Sequence, residues 1–204
     1  MLVAPLGATD LASLAALVRG CAACPAMAGR CRVPGTGRAA AEVFFVAEAP
    51  GRHGAEVTGL PLVGDRSGAL FGAMVRAIGL DPEGIYVTNV VKCNPRDARG
   101  RNRPPTTPEI AACGGYLRAE VALVAPRLVV PLGQVACRAV TGLALRDAVG
   151  RLAPGPGPGV VAFALHHPAY VLRHRRTLEV YLQDWQALAR ALHGLQRGRR
   201  HRAD

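Results

Sequence analysis

The stretch Glu42-Val43-Phe44-Phe45-Val46-Ala47-Glu48-Ala49-Pro50-Gly51 decides the fold. Its first half is apolar without alternation, the pattern of a strand buried on both faces. Its second half, Ala49-Pro50-Gly51, is a turn. Working outward, a helix is predicted after Ser67 to Ile78, with Gly79 placed to end it. Ile85–Val91 is β-branched and strand-like. Thr107-Pro108 opens a helix reaching Val124, with Pro108 at its first position. Leu128–Leu132 reads as a third strand, followed by a short helix from Gln134. Val160–Leu165 reads as a fourth strand and Leu178–Leu195 as a closing amphipathic helix. Upstream, Asp10 caps a helix through Arg19.

Strands alternating with helices imply an α/β fold, a three-layer α/β/α sandwich with a mostly parallel central sheet of about four strands. Residues 1–196 form a single domain, Pro154–Gly159 is a surface turn, and 197–204 is a basic, disordered tail. In such sheets ligands bind beyond the carboxyl ends of the strands. Glu48–Gly51, Asn89–Cys93, Gly133-Gln134 and His166–Tyr170 fall there and are expected to build any site.

A formal net charge of +11 comes almost entirely from arginine, Lys92 being the only lysine. Such an excess favours a polyanionic partner, because phosphate contacts release counterions. No apolar run spans a bilayer and no secretory leader is evident, so the chain reads as a cytoplasmic monomer with no membrane partner. In a reducing compartment its six cysteines point to metal before disulfides. Cys21 and Cys24 form a Cys-x-x-Cys pair, with Cys93 and Cys113 far downstream. Four thiolates can hold zinc or an iron–sulfur cluster, and buried free thiols are the third reading. Cys137, in a helical stretch, reads as a buried core residue.

Several segments, in order, resemble the family-four uracil-DNA glycosylases: Val46-Ala47-Glu48-Ala49-Pro50-Gly51; Thr58-Gly59-Leu60-Pro61-Leu62-Val63-Gly64; Thr88-Asn89-Val90-Val91-Lys92-Cys93; Asn102-Arg103-Pro104-Pro105 with Thr107-Pro108-Glu109; and His167-Pro168-Ala169-Tyr170-Val171-Leu172-Arg173. His53-Gly54 and Gly64-Asp65-Arg66-Ser67-Gly68 look more like family five. The resemblance covers roughly residues 20 to 190. It implies a 4Fe–4S cluster held by Cys21, Cys24, Cys93 and Cys113, with uracil-containing DNA as substrate. A base inside a duplex is out of reach, so such enzymes extrude it into a pocket. Cleavage leaves positive charge on the sugar and negative charge on uracil, mainly at O2.

The resemblance makes His167 the donor to O2, with His166 structural. It makes Asn89 the reader of the uracil edge, since one amide donates to O4 and accepts from N3–H. Glu48 either positions water or contacts the base, with Ala49 standing where better-known glycosylases carry a water-activating aspartate. Asp65 is either a second water-handling carboxylate or a helix cap. Ala47, Gly51 and Leu62 approach the base. Leu62 stands where the family has a stacking phenylalanine, and Ala47 where it has glycine. Leu172 is a wedge for the vacated stack, and Arg173 and Arg175 clamp phosphates. Arg103-Pro104-Pro105 lacks the Arg-Ile-His of a variant that bonds covalently to uracil. Two alternatives accompany this reading: a broader deaminated-base glycosylase, and a binder without turnover.

Overall fold

The computed structural model describes residues 7–174 and 178–200. A six-stranded sheet runs in the order β1-β3-β2-β4-β6-β5. The strands are β1 (Thr36–Gly37), β2 (Val43–Ala47), β3 (Ile85–Asn89), β4 (Leu128–Pro131), β5 (Leu152–Pro154) and β6 (Val161–Phe163). The four expected strands, β2, β3, β4 and β6, are mutually parallel. Two short antiparallel edges, β1 and β5, extend the expected sheet.

Every residue of β2 is buried, and the paired phenylalanines explain why. Successive strand side chains point to opposite faces. Phe44 stacks on Tyr86 at 4.9 Å on one face. Phe45 meets Phe71 at 5.1 Å and Trp185 at 5.7 Å on the other. Helices α3 (Arg66–Ala77) and α8 (Leu178–Arg200) supply the second face. Helices α4 (Thr107–Val124) and α5 (Gln134–Thr141) supply the first. The result is the expected three-layer sandwich.

Local signals set the helix ends. Asp10 caps α1 (Leu11–Arg19) in a reciprocal box with Ser13. Thr106 and Glu109 do the same for α4. Helix α3 begins at Arg66, just ahead of the predicted start, because Asp65 accepts from the Gly68 N–H at 2.8 Å. Short helices α2 (Ala55–Thr58), α6 (Leu145–Ala148) and α7 (Pro168–Arg173) complete the order. Helix α8 runs through Arg200, into the stretch expected as a tail. Residues 201–204 of that tail lie outside the described residues.

The parallel strands end on one edge of the sheet, and the loops leaving them carry the motif residues. Leu62, in the approach to α3, has φ +54. Its carbonyl lies only 2.3 Å from where a Cβ on Gly68 would sit. A main-chain carbonyl cannot rotate away, so Gly68→Ala is expected to destabilise the fold by about 1–3 kcal/mol. Urea unfolding would measure this, and an unchanged midpoint would show that the Leu62 turn yields freely.

Candidate active site and thiol cavity

A cleft of about 1020 Å³ opens at the carboxyl edge of the sheet. Glu48 and Gly51 reach it from the loop after β2, and Leu62 and Asp65 from the entry to α3. His167 and Arg173 reach it from the two ends of α7. It exceeds the usual range for a small-molecule pocket, and it is lined by both apolar and charged groups.

His167 caps α7: its Nδ1 accepts from the Ala169 N–H at 3.1 Å. An imidazole nitrogen that accepts carries no proton, so the neutral ring holds its hydrogen on Nε2. Burial and the nearby Arg173 guanidinium push the His167 pKa down to about 4, while Asp65 pulls weakly the other way. The ring is therefore neutral at physiological pH and presents one fixed N–H donor. Gly133 allows this placement, since a Cβ there would lie 3.2 Å from His167 Cβ.

Two carboxylates share the cleft. Burial pushes the Glu48 carboxyl above its ordinary pKa, against the opposing pull of Arg173. Asp65 does cap α3 through Oδ1. Its Oδ2 lies against Gly51 and Gly54, 3.0 and 2.7 Å from where their Cβ atoms would be. Capping thus leaves the second oxygen beside the loop after β2.

Asn89 ends β3, in register with Ala47 at the end of β2. Ala47 and Asn89 are both buried, and neither lines the open cleft. The Asn89 Nδ2 is buried with no hydrogen-bond partner, as are only Arg30 Nε and Trp185 Nε1 among the described side chains. Such an orphaned donor costs roughly 1–3 kcal/mol if nothing ever pairs with it. Leu172 is exposed on α7 beside the cleft. Arg175 lies outside the described residues.

The cleft also draws on residues that had no assigned role. Asn94 is buried and donates to the Pro50 carbonyl at 2.6 Å and to Asn102 Oδ1 at 3.0 Å, tying the loop after β3 to the loop after β2. Arg103 lines the cleft while gripping Glu109 with two bonds of 2.8 and 2.6 Å. Tyr170 stacks on His166 at 5.0 Å and lies tilted against His174 at 4.4 Å, and it is an exposed residue of the cleft lining. Asn102, Arg103 and Tyr170 sit inside the quoted motifs. Asn94 follows Cys93 directly, and nothing in the sequence distinguished it.

Cys21, Cys24, Cys93 and Cys113 line one separate cavity, together with Arg32 and Glu109. Cys31 is exposed elsewhere, and Cys137 is buried in the core as expected. Burial, and then the neighbouring thiols, push the Cys93 pKa up to about 11 and that of Cys24 up as well. Burial raises Cys113 too, partly offset by the Lys92 main-chain N–H. The raised Cys24, Cys93 and Cys113 thiols lose their protons more readily with cationic compensation, which is what a metal group provides. Among the described residues, no group of three or more His, Cys, Asp or Glu is drawn together as a single metal ion requires.

Residues 34–189 match the family described as the Uracil DNA glycosylase superfamily. The chain is 35% identical over 164 residues to the type-4 uracil-DNA glycosylase of Archaeoglobus fulgidus, covering 76% of this chain and 79% of that one. It is 36% identical over 162 residues to the type-4 enzyme of Thermotoga maritima, covering 78% and 81%. A type-5 uracil-DNA glycosylase of Pyrobaculum aerophilum is 35% identical over 153 residues, covering 67% and 65%. The match spans the strands, the cleft loops and two of the four gathered cysteines, and the chain belongs to the uracil DNA glycosylase superfamily, in its type-4 family.

Proposed function

We propose that the protein is a monofunctional glycosylase that hydrolyses the N-glycosidic bond of uracil in DNA and leaves an abasic site. The observation that carries this reading is the fixed neutral His167 in the cleft, its Nδ1 occupied by Ala169 and its Nε2 hydrogen available. A preorganised donor aimed at developing charge is worth about 2.7–4 kcal/mol, because nothing need reorient during reaction. His167 donates to uracil O2 as the glycosidic bond lengthens and negative charge gathers there. The orphaned Asn89 Nδ2 takes uracil O4, while its carbonyl oxygen accepts from N3–H. Cytosine offers the reverse pattern at those atoms and leaves the amide unsatisfied.

Water completes the reaction at the sugar. Asp65 Oδ2 holds it, because Oδ1 is committed to the α3 cap and Oδ2 is not. Glu48, with its raised pKa, orients the base edge. A lyase step would need an amine nucleophile, and Lys92, the only lysine, is buried in an ion pair with Glu120. Leu172 fills the vacated stack, and Arg173 and Arg175 hold phosphates. The protein acts as a monomer in the cytoplasm; no helix among the described residues is long and apolar enough to cross a membrane.

A 4Fe–4S cluster with Cys21, Cys24, Cys93 and Cys113 as its ligands is supported by the gathering of these four thiols around one cavity. When bound, the cluster cross-links the segment after α1 to the loop after β3 and to α4. A broader base range is the second reading, favoured by Leu62. It lines the cleft where an aromatic ring would contribute roughly 1–3 kcal/mol of stacking.

The deciding assay uses uracil-containing DNA and anaerobically purified protein, with alkali to reveal abasic sites. Scission at uracil and not at matched thymine is expected. Hypoxanthine release in addition would establish the broader range, and binding without scission would sink the enzyme reading. His167→Ala should lower single-turnover excision at least about 10²-fold, and near-normal turnover would remove the residue from the chemistry.

The pH dependence follows from the depressed His167 pKa of about 4. The neutral donor is fully populated above that value, so the rate should show no histidine inflection near pH 6.5. If the imidazolium were the donor, excision would instead climb as pH falls through that region. Metal analysis should find about four irons and four sulfides per chain, lost on Cys113→Ser. Zinc without iron would overturn the cluster.

A further inference from the structure

Lys92 is one of the least exposed side chains of the protein. Its ammonium donates to Glu120 Oε2 at 2.7 Å, to Thr88 Oγ1 at 2.7 Å and to the Asn89 carbonyl at 2.8 Å, which uses all three of its protons. Thr88 Oγ1 donates to the same Glu120 oxygen at 2.9 Å, and Glu120 Oε1 accepts from the Gly35 N–H at 3.0 Å. The network is closed around two buried charges.

Such a pair is a poor source of stability. Desolvation of both ions consumes most of the Coulomb gain, and apolar residues of similar volume often serve as well. What the apolar pair could not do is hold the Asn89 carbonyl. Strand β3 ends at that residue. The chain then turns, with the Val90 and Val91 N–H groups bonding back to the Ala47 and Glu48 carbonyls at 2.9 and 3.2 Å. The direction of the Asn89 side chain depends on how its peptide is held through this turn.

We infer that Lys92 is the positioning residue of Asn89: its ammonium anchors the Asn89 carbonyl, so that the unpartnered amide is aimed before a base arrives. The inference rests on Asn89 reading the uracil edge. A recognition amide with an unsatisfied donor is free to swing toward any nearby acceptor unless its peptide is fixed. The Lys92–Glu120 pair supplies that restraint, with Thr88 locking the ammonium from the strand side. The Lys92 main-chain N–H serves Cys113 separately, and a side-chain substitution leaves that bond in place.

The test is a double-mutant cycle in single-turnover uracil excision at saturating enzyme. Lys92→Met and Glu120→Gln are made together, so that no buried charge is left alone and the glutamine oxygen can still accept from Gly35. The paired change should lower excision about 10- to 100-fold, the scale of a misplaced recognition group. In an Asn89→Ala background the same change should cost less than about 3-fold, because there is no amide left to misplace. Bound iron should be unchanged. Equal losses in both backgrounds, a loss below about 3-fold in the parent, or loss of iron would each overturn the inference. Should the paired variant not fold, Lys92→Arg keeps the charge but presents a planar fork in place of a point donor, and the same non-additivity is expected. Full activity of Asn89→Ala alone would be a different failure, one of the base-reading role itself.

Discussion

Strand β2 has no solvent face, and that single fact constrains the rest of the molecule. Phe44 and Phe45 are both fully buried and point to opposite sides, so each side needs its own helical layer. Both edges of β2 are paired as well, to β3 and β4. With faces and edges all occupied, only the two ends of the strand stay open, and ligands of open parallel sheets bind beyond the carboxyl end. Ala47-Glu48 therefore emerges where β3 delivers Asn89 and where His167 follows β6. The cleft lies at that end, where Glu48 and His167 line it and Asn89 is buried nearby at the end of β3.

The same burial sets the electrical character of the cleft. Desolvation is the leading cause of the depressed His167 pKa and of the raised Glu48 pKa. It keeps the histidine uncharged and a donor, and it favours a neutral carboxyl beside the arginine at the end of α7. The orphaned Asn89 donor belongs to the same pattern: a polar group is held dry and unsatisfied. Among the described residues Arg30 and Trp185 also carry unpaired buried nitrogens, but only Asn89 stands at the carboxyl edge of the sheet.

Much of this was legible from residues alone, and the exceptions have physical causes. The four parallel strands were readable because each is a short apolar run between turn residues. The edges β1 and β5 were not: Thr36-Gly37 and Leu152-Ala153-Pro154 are too short and too exposed to show a period. Helix α7 was hidden because it is a single turn and a half opened by Pro168, with a histidine as its cap. The motif carboxylate Asp65 had two readings, and the cap proved real without removing its second oxygen from the cleft. Lys92 gave the least warning. It stood inside a quoted motif without an assigned role, and its partner Glu120 stands 28 residues away on α4. Only the packing of α4 against β3 brings them together.

The thiol cavity and the cleft are two views of one loop. Cys93 begins the segment and Cys113 lies beyond its end, in α4. Between them, Asn94, Asn102 and Arg103 form a wall of the cleft. Arg103 faces the cleft while Glu109, its bidentate partner, faces the thiols. Hydrogen bonds from Arg103 and from the start of α4 hold the Glu109 carboxyl at a pKa of about 2, so the pair is ionised at neutral pH. Charge-assisted, two-point contacts of this kind transmit position because they fix orientation as well as distance. A group bound by the four thiols would fix the ends of this loop, and Arg103–Glu109 would carry that constraint to the wall of the cleft.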